Sequence, residues 1–121
     1  MDGISTLRAS VILFALAASG GLLMAFIRFT RTVNPPPWLS MLHGLLAAAG
    51  LTLLIVAVCA YTMPFSAKLA LALLLIAVVG GVVMNLNYQW QRRLIPAAIL
   101  WGHASLAVVA FCILAYEAYL R

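Results

Sequence analysis

The sequence predicts an all-α integral membrane protein: a four-helix up-down-up-down bundle built from two repeated helical hairpins. Three observations carry that expectation. The first is composition, with 67% of residues hydrophobic, 7% charged and a mean hydropathy of +1.18. Soluble chains are roughly 45–50% apolar and about 25% charged, so this chain lacks the polar surface to clothe a core in water. The second is length. A span needs about 20 apolar residues, so 121 residues hold four spans and short turns as a single transmembrane domain. That leaves no room for a soluble domain, a nucleotide-binding fold or a long catalytic loop. The third is self-similarity at an offset of 60 residues.

Each span is bounded by residues that stop or start a helix. Residues 28–37 (RFTRTVNPPP) are polar and end in three prolines, which close one helix and open the next. Residues 61–68 (YTMPFSAK) form a second turn, and residues 85–96 (NLNYQWQRRLIP) a third. The expected spans are therefore 6–29, 38–60, 67–88 and 95–119. The first is too long, and too poor in arginine at its start, for a cleaved signal peptide.

At the 60-residue offset Gly20-Gly21 falls on Gly80-Gly81, Met24 on Met84, Pro36 on Pro96 and His43 on His103, without a gap. Leu13, Ala17, Leu46, Ala47 and Leu54 also meet identical partners. The matched residues fall on single helical stripes: Leu13, Ala17, Gly20 and Met24 on the odd helices, His43, Leu46, Ala47 and Leu54 on the even ones. Chance matches would scatter around the helix. The chain thus reads as two copies of one hairpin, residues 11–60 and 71–120, with these stripes turned inward. Repeats of an even number of spans share an axis along the bilayer normal. The second and fourth helices then lie on a diagonal, with His43 facing His103 at one depth.

An ionisable residue inside a membrane marks a functional site by default, and these are the only two histidines. The sharpest expectation is that both are axial ligands to the iron of one b-type haem on the pseudo-two-fold axis. Two imidazoles and two bonds of about 2 Å need backbones roughly 12–13 Å apart, near the diagonal of a bundle with 8–10 Å neighbours. Gly20, Gly21, Gly80 and Gly81 would let a flat ring approach the backbone. Ala47, Gly50, Ala107 and Ala110 would keep the histidine faces thin, and Met24 and Met84 would pack at the haem edge. Arg28, Arg31, Arg92 and Arg93, on the adjoining turns, could pair with the propionates. Two alternatives stay open. The methionines and histidines could together hold copper, or the protein could be a cofactor-free assembly or stabilising subunit whose histidines hydrogen-bond between helices.

The remaining polar residues read more simply. Trp38, Trp90 and Trp101 lie near turns, as interface anchors do. Cys59 and Cys112 read as buried small hydrophobes, too far apart in depth for a disulfide. Asp2 and Glu117 read as solvated charges at the ends. Net charge is +5, from seven Lys+Arg against two Asp+Glu. The cations are scattered, so they make no nucleic-acid patch and are better read as topology signals. Four of them border the histidine-side turns, which favours the cytoplasmic side of a bacterial inner membrane for that end. The Ala/Gly-rich faces are available to a homodimer.

Four transmembrane helices with histidines on facing helices resemble the membrane b-type cytochromes, the cytochrome b561-like proteins among them. The stretches from Pro35 to Gly44 (PPPWLSMLHG) and from Pro96 to Ala104 (PAAILWGHA) also look like those of short bacterial membrane proteins made of repeated hairpins. The resemblance spans the whole chain in architecture and two short motifs in sequence. It implies an electron carrier rather than an enzyme, exchanging single electrons with a quinol or a redox protein. Proteins of the b561 type typically hold two haems on four histidines. With two histidines here, the resemblance implies at most one haem b per chain.

Overall fold

The computed structural model describes all residues, 1–121. It is entirely helical in its regular structure, as expected: α1 (Gly3–Arg31), α2 (Pro37–Ala60), α3 (Phe65–Val83) and α4 (Ala97–Tyr119). A six-residue π-helical segment, Met84–Gln89, continues α3, so the third span runs Phe65–Gln89. All four helices are long and apolar enough to cross a membrane. The starts follow local chemistry. Asp2 caps α1 by accepting the Ser5 backbone N–H at 2.8 Å, while Pro36, Pro64 and Pro96 stand at the N-caps of α2, α3 and α4. A proline there loses no intrahelical bond, because the first N–H groups of a helix have no partner anyway.

Helix α1 packs most closely on α2, and α3 on α4, so the chain forms two hairpins. The hairpins meet more closely along α1 and α4 than along α2 and α3. Turn geometry recurs at positions 60 apart: Thr32 has φ 53° and Arg92 φ 54°, the only non-glycine residues in the left-handed region. Asn34 sews the two turns together. Its amide N–H donates to the Arg93 carbonyl at 2.7 Å, and its carbonyl oxygen accepts the Ile95 N–H at 2.9 Å. Arg28 reaches the same turn, donating to the Ile95 carbonyl at 2.9 Å.

The core occupies only one half of the bundle. Leu7, Phe14, Leu54, Leu74 and Leu114 are buried there, with alanines between them. Gly50 lets the helices close. A Cβ at that position would sit 3.2 Å from the Phe14 ring, and the Ser10 hydroxyl donates to the Gly50 carbonyl at 2.8 Å. Nearer the proline turns the core stops. No residue in 18–34, 40–49, 78–94 or 96–109 is buried; only Pro35, Leu39 and Ile95, in the turns and the first turn of α2, are covered again.

Two expectations for the polar residues change. Cys59 and Cys112 are exposed on the outer surface rather than buried, because their helical positions face away from the bundle axis. Glu117 is no solvated end charge: its side chain is 7% exposed and bound to Ser66 and Arg121. It stands 60 residues from Ala57, which is 0% exposed, so the helix points this carboxylate inward. Asp2 is exposed, as expected.

Candidate functional site

His43 and His103 lie in the coreless layer. Each ring is anchored across its own hairpin in the same way. The Nδ1 of His43 is 2.7 Å from the Ala17 carbonyl oxygen, and the Nδ1 of His103 is 2.7 Å from that of Ala77. A carbonyl can only accept, so each Nδ1 carries the hydrogen, and Nε2 of the neutral ring keeps its lone pair. This is the support that metal-bound imidazoles ordinarily have, because it fixes both tautomer and ring orientation.

The glycine pairs seat the rings. A Cβ on Gly21 would be 3.1 Å from Cε1 of His43, and one on Gly81 would be 3.2 Å from Cε1 of His103. A Cβ on Gly20 or Gly80 would lie 3.8 or 3.6 Å from the Cβ of His43 or His103. The room these glycines leave is therefore taken by the imidazoles themselves. Across the bundle the two rings meet edge to face, with centroids 6.2 Å apart and planes 70° apart. Two imidazoles on opposite sides of one metal ion need about 6 Å, from two bonds of about 2 Å and a ring radius of about 1.1 Å at each end.

The other expected site residues divide between this layer and its surroundings. Met24 and Met84 are half-buried in the histidine layer, and the Met24 sulfur lies 3.4 Å from the Ser40 hydroxyl oxygen. Ala47 and Ala107 are half-buried one turn from the histidines. Gly50 and Ala110 are buried in the packed half, where Phe14 fills the space at Gly50. Arg28 is half-buried and stacked over Phe29; Arg93 lies over Tyr88 at 4.8 Å; Arg31 and Arg92 are exposed. Trp38, Trp90 and Trp101 are exposed near the turns.

The structure adds residues that sequence reasoning passed over. Ser40 lies one turn before His43 and donates to Gln89 Oε1 at 2.8 Å, while the Gln89 amide donates to the Pro35 carbonyl at 3.0 Å. The i, i+3 spacing of Ser40 and His43 was a usable signal. Gln89 offered none, because the π-helical turn that presents it has no compositional mark.

Chemically the site offers two imidazole Nε2 atoms and, in the same layer, two methionine sulfurs. No group of three or more His, Cys, Asp or Glu residues comes together anywhere, so a metal here would need further ligands from Met24 and Met84, from water or from a cofactor. A porphyrin supplies four nitrogens and leaves two axial positions, which is the number of imidazoles here. The fold and site thus define a class: a small four-helix membrane protein with one internal pair of facing, carbonyl-anchored imidazoles. No protein-family model, curated protein or solved structure matches the chain. The function must therefore be argued from the site alone.

Proposed function

We propose that this protein is a membrane b-type cytochrome that binds one haem b between α2 and α4, with His43 and His103 as axial ligands, and carries single electrons. The observation that supports it is the pair of imidazoles 6.2 Å apart, each with Nδ1 held on a backbone carbonyl. Bound there, haem supplies a reversible one-electron iron couple. With both axial positions taken by histidine the iron has no open site, which favours electron transfer over oxygen chemistry.

The chain's own residues would orient and shield. Ala17 and Ala77 carbonyls hold the rings, the glycine pairs set their depth, and the joined turns cover that end of the bundle. Arg28, half-buried and reaching Ile95, is the nearest cation for a propionate, with Arg31, Arg92 and Arg93 further out. Electrons would be exchanged with a quinol or a redox protein. Four arginines and no carboxylate at the histidine end support a cytoplasmic position for that end in a bacterial inner membrane.

The second reading is a cofactor-free stabilising subunit. It is favoured by the fact that each histidine already fastens its own hairpin, donating to a carbonyl and filling a glycine seat. A visible spectrum of protein purified from haem-replete cells separates the two. The cytochrome reading expects a Soret band with stoichiometric haem, lost in His43→Ala and His103→Ala while far-ultraviolet circular dichroism stays helical. A colourless wild-type protein overturns it and leaves the structural reading. Stoichiometric copper without a Soret band overturns both.

A further inference from the structure

A groove of about 530 Å³ lies outside the histidine site, between the end of α1 and the first proline turn. Its walls differ by depth. Leu23, Phe26 and Ile27 of α1 form an apolar side, and the turn contributes Arg31, Val33 and Asn34 beside the prolines. From Leu23 to Arg31 the helix rises about 12 Å at 1.5 Å per residue. The groove therefore runs from acyl-chain depth to the membrane boundary, and exposed Trp38 follows directly on Pro37 of its lining.

At its polar end the Asn34 side chain is engaged by the other turn, but Arg31 and the turn's backbone N–H groups are not. The side chains of Arg31 and Arg92 have no protein partner, whereas Arg8, Arg28, Arg93 and Arg121 are each engaged by a carbonyl or carboxylate; of the two, only Arg31 lines the groove. The backbone N–H groups of Thr32, Val33 and Asn34 donate to no acceptor in the chain, whereas Arg92 and Arg93 in the other turn donate to Gln89 and Tyr88 carbonyls. An unpaired guanidinium and free amide donors, set above an apolar wall at the membrane boundary, match one ligand chemistry. That is a phosphodiester carrying a net negative charge and attached to acyl chains.

We infer that this groove binds an anionic phospholipid, its phosphate at Arg31 and the first-turn amides and its acyl chain along Leu23 and Phe26. The groove lies outside the histidine pair, and in it Arg31 serves the lipid phosphate rather than a haem propionate, which leaves Arg28, Arg92 and Arg93 for that role. Zwitterionic lipid has the same phosphate but a compensating ammonium, so the arginine discriminates between the two.

The test uses the full chain with Trp90→Phe and Trp101→Phe, leaving Trp38 as reporter. In mixed micelles, an anionic phospholipid brominated on its acyl chain should quench Trp38 at roughly five-fold lower mole fraction than its zwitterionic counterpart, the preference one arginine gives at a membrane surface. Arg31→Gln should abolish the preference, and Arg92→Gln should leave it. Equal quenching by both lipids, or a preference that survives Arg31→Gln, overturns the proposal. Millimolar inorganic phosphate that relieves the quenching also overturns it, by marking a free-anion site instead of a lipid site.

Discussion

The two halves of the bundle have similarly apolar sequence and opposite packing. In the half away from the turns that hold Pro35–Pro37 and Pro96, Leu54 and Leu114 are 0% exposed and Phe14 fills the space that Gly50 leaves. In the half beneath the turns no residue of residues 40–49 or 96–109 is buried, although Leu46 and Leu106 sit on the same stripes as Leu54 and Leu114. Hydrophobicity alone therefore does not make a core in a membrane protein. Between helices in lipid, stability comes from close van der Waals packing, and one layer has fully buried side chains while the other has two half-buried histidines and none.

The largest expected effect separates the layers by stability. Leu54→Ala should destabilise the protein by about 2 kcal/mol or more, because its neighbours are left lining a cavity with no atoms to attract them. Leu46→Ala, in the unpacked layer, should cost less than about 1 kcal/mol in protein without cofactor. Thermal or denaturant unfolding in one detergent checks the pair, and equal losses of stability would erase the distinction between the layers.

The next effect sharpens the comparison inside the packed half. Phe14 and Gly50 in one hairpin stand where Leu74 and Ala110 stand in the other. Gly50→Ala should cost about 1–3 kcal/mol by overpacking against the ring. Adding Phe14→Leu should recover most of that, because it installs the large–small balance the second hairpin uses. Simple additivity of the two substitutions, read from a double-mutant cycle, would contradict direct coupling.

In the histidine layer, Gly21→Ala and Gly81→Ala should behave alike, since the added Cβ meets Cε1 at 3.1 and 3.2 Å. Each should displace its imidazole by a few tenths of an ångström. The readout is a several-fold weaker haem affinity with little change in helicity. Unchanged affinity in both would detach the glycine seats from ligand placement.

The smallest effect lies at the far end. The Ser5 backbone N–H holds the Asp2 carboxyl below its usual range. A carboxyl depressed in the folded state adds stability that is full above its unfolded pKa. That stability fades as pH falls through the folded value. Asp2→Asn keeps the cap and should flatten that acid-side dependence without lowering stability at neutral pH. An unchanged pH profile would show that the cap does not contribute.

Much of the fold was legible because membranes simplify the code. Apolar runs marked the spans, and prolines marked the starts at Pro36, Pro64 and Pro96 within a few residues. The facing of His43 and His103 was legible from the 60-residue offset, since matched inward stripes leave them nowhere else to point. The π-helical turn at Met84–Gln89 was not, because α and π segments differ by one hydrogen-bond step and not by residue type. Glu117 was misread because a charge near a chain end looks solvated. Its inward position follows only from the pairing with Ala57. The interrupted core was equally hidden, as Leu46 and Leu106 read as core by pattern and are left half-exposed by geometry.

The central claim, that these two imidazoles ligate one iron, is tested most directly by low-temperature electron paramagnetic resonance of the ferric protein. Ring planes 70° apart belong to the crossed class of bis-imidazole haems. The account predicts the single, strongly anisotropic low-spin signal of that class, lost in both His43→Ala and His103→Ala. Protein from haem-replete cells with no low-spin signal, or one that survives both substitutions, would contradict it.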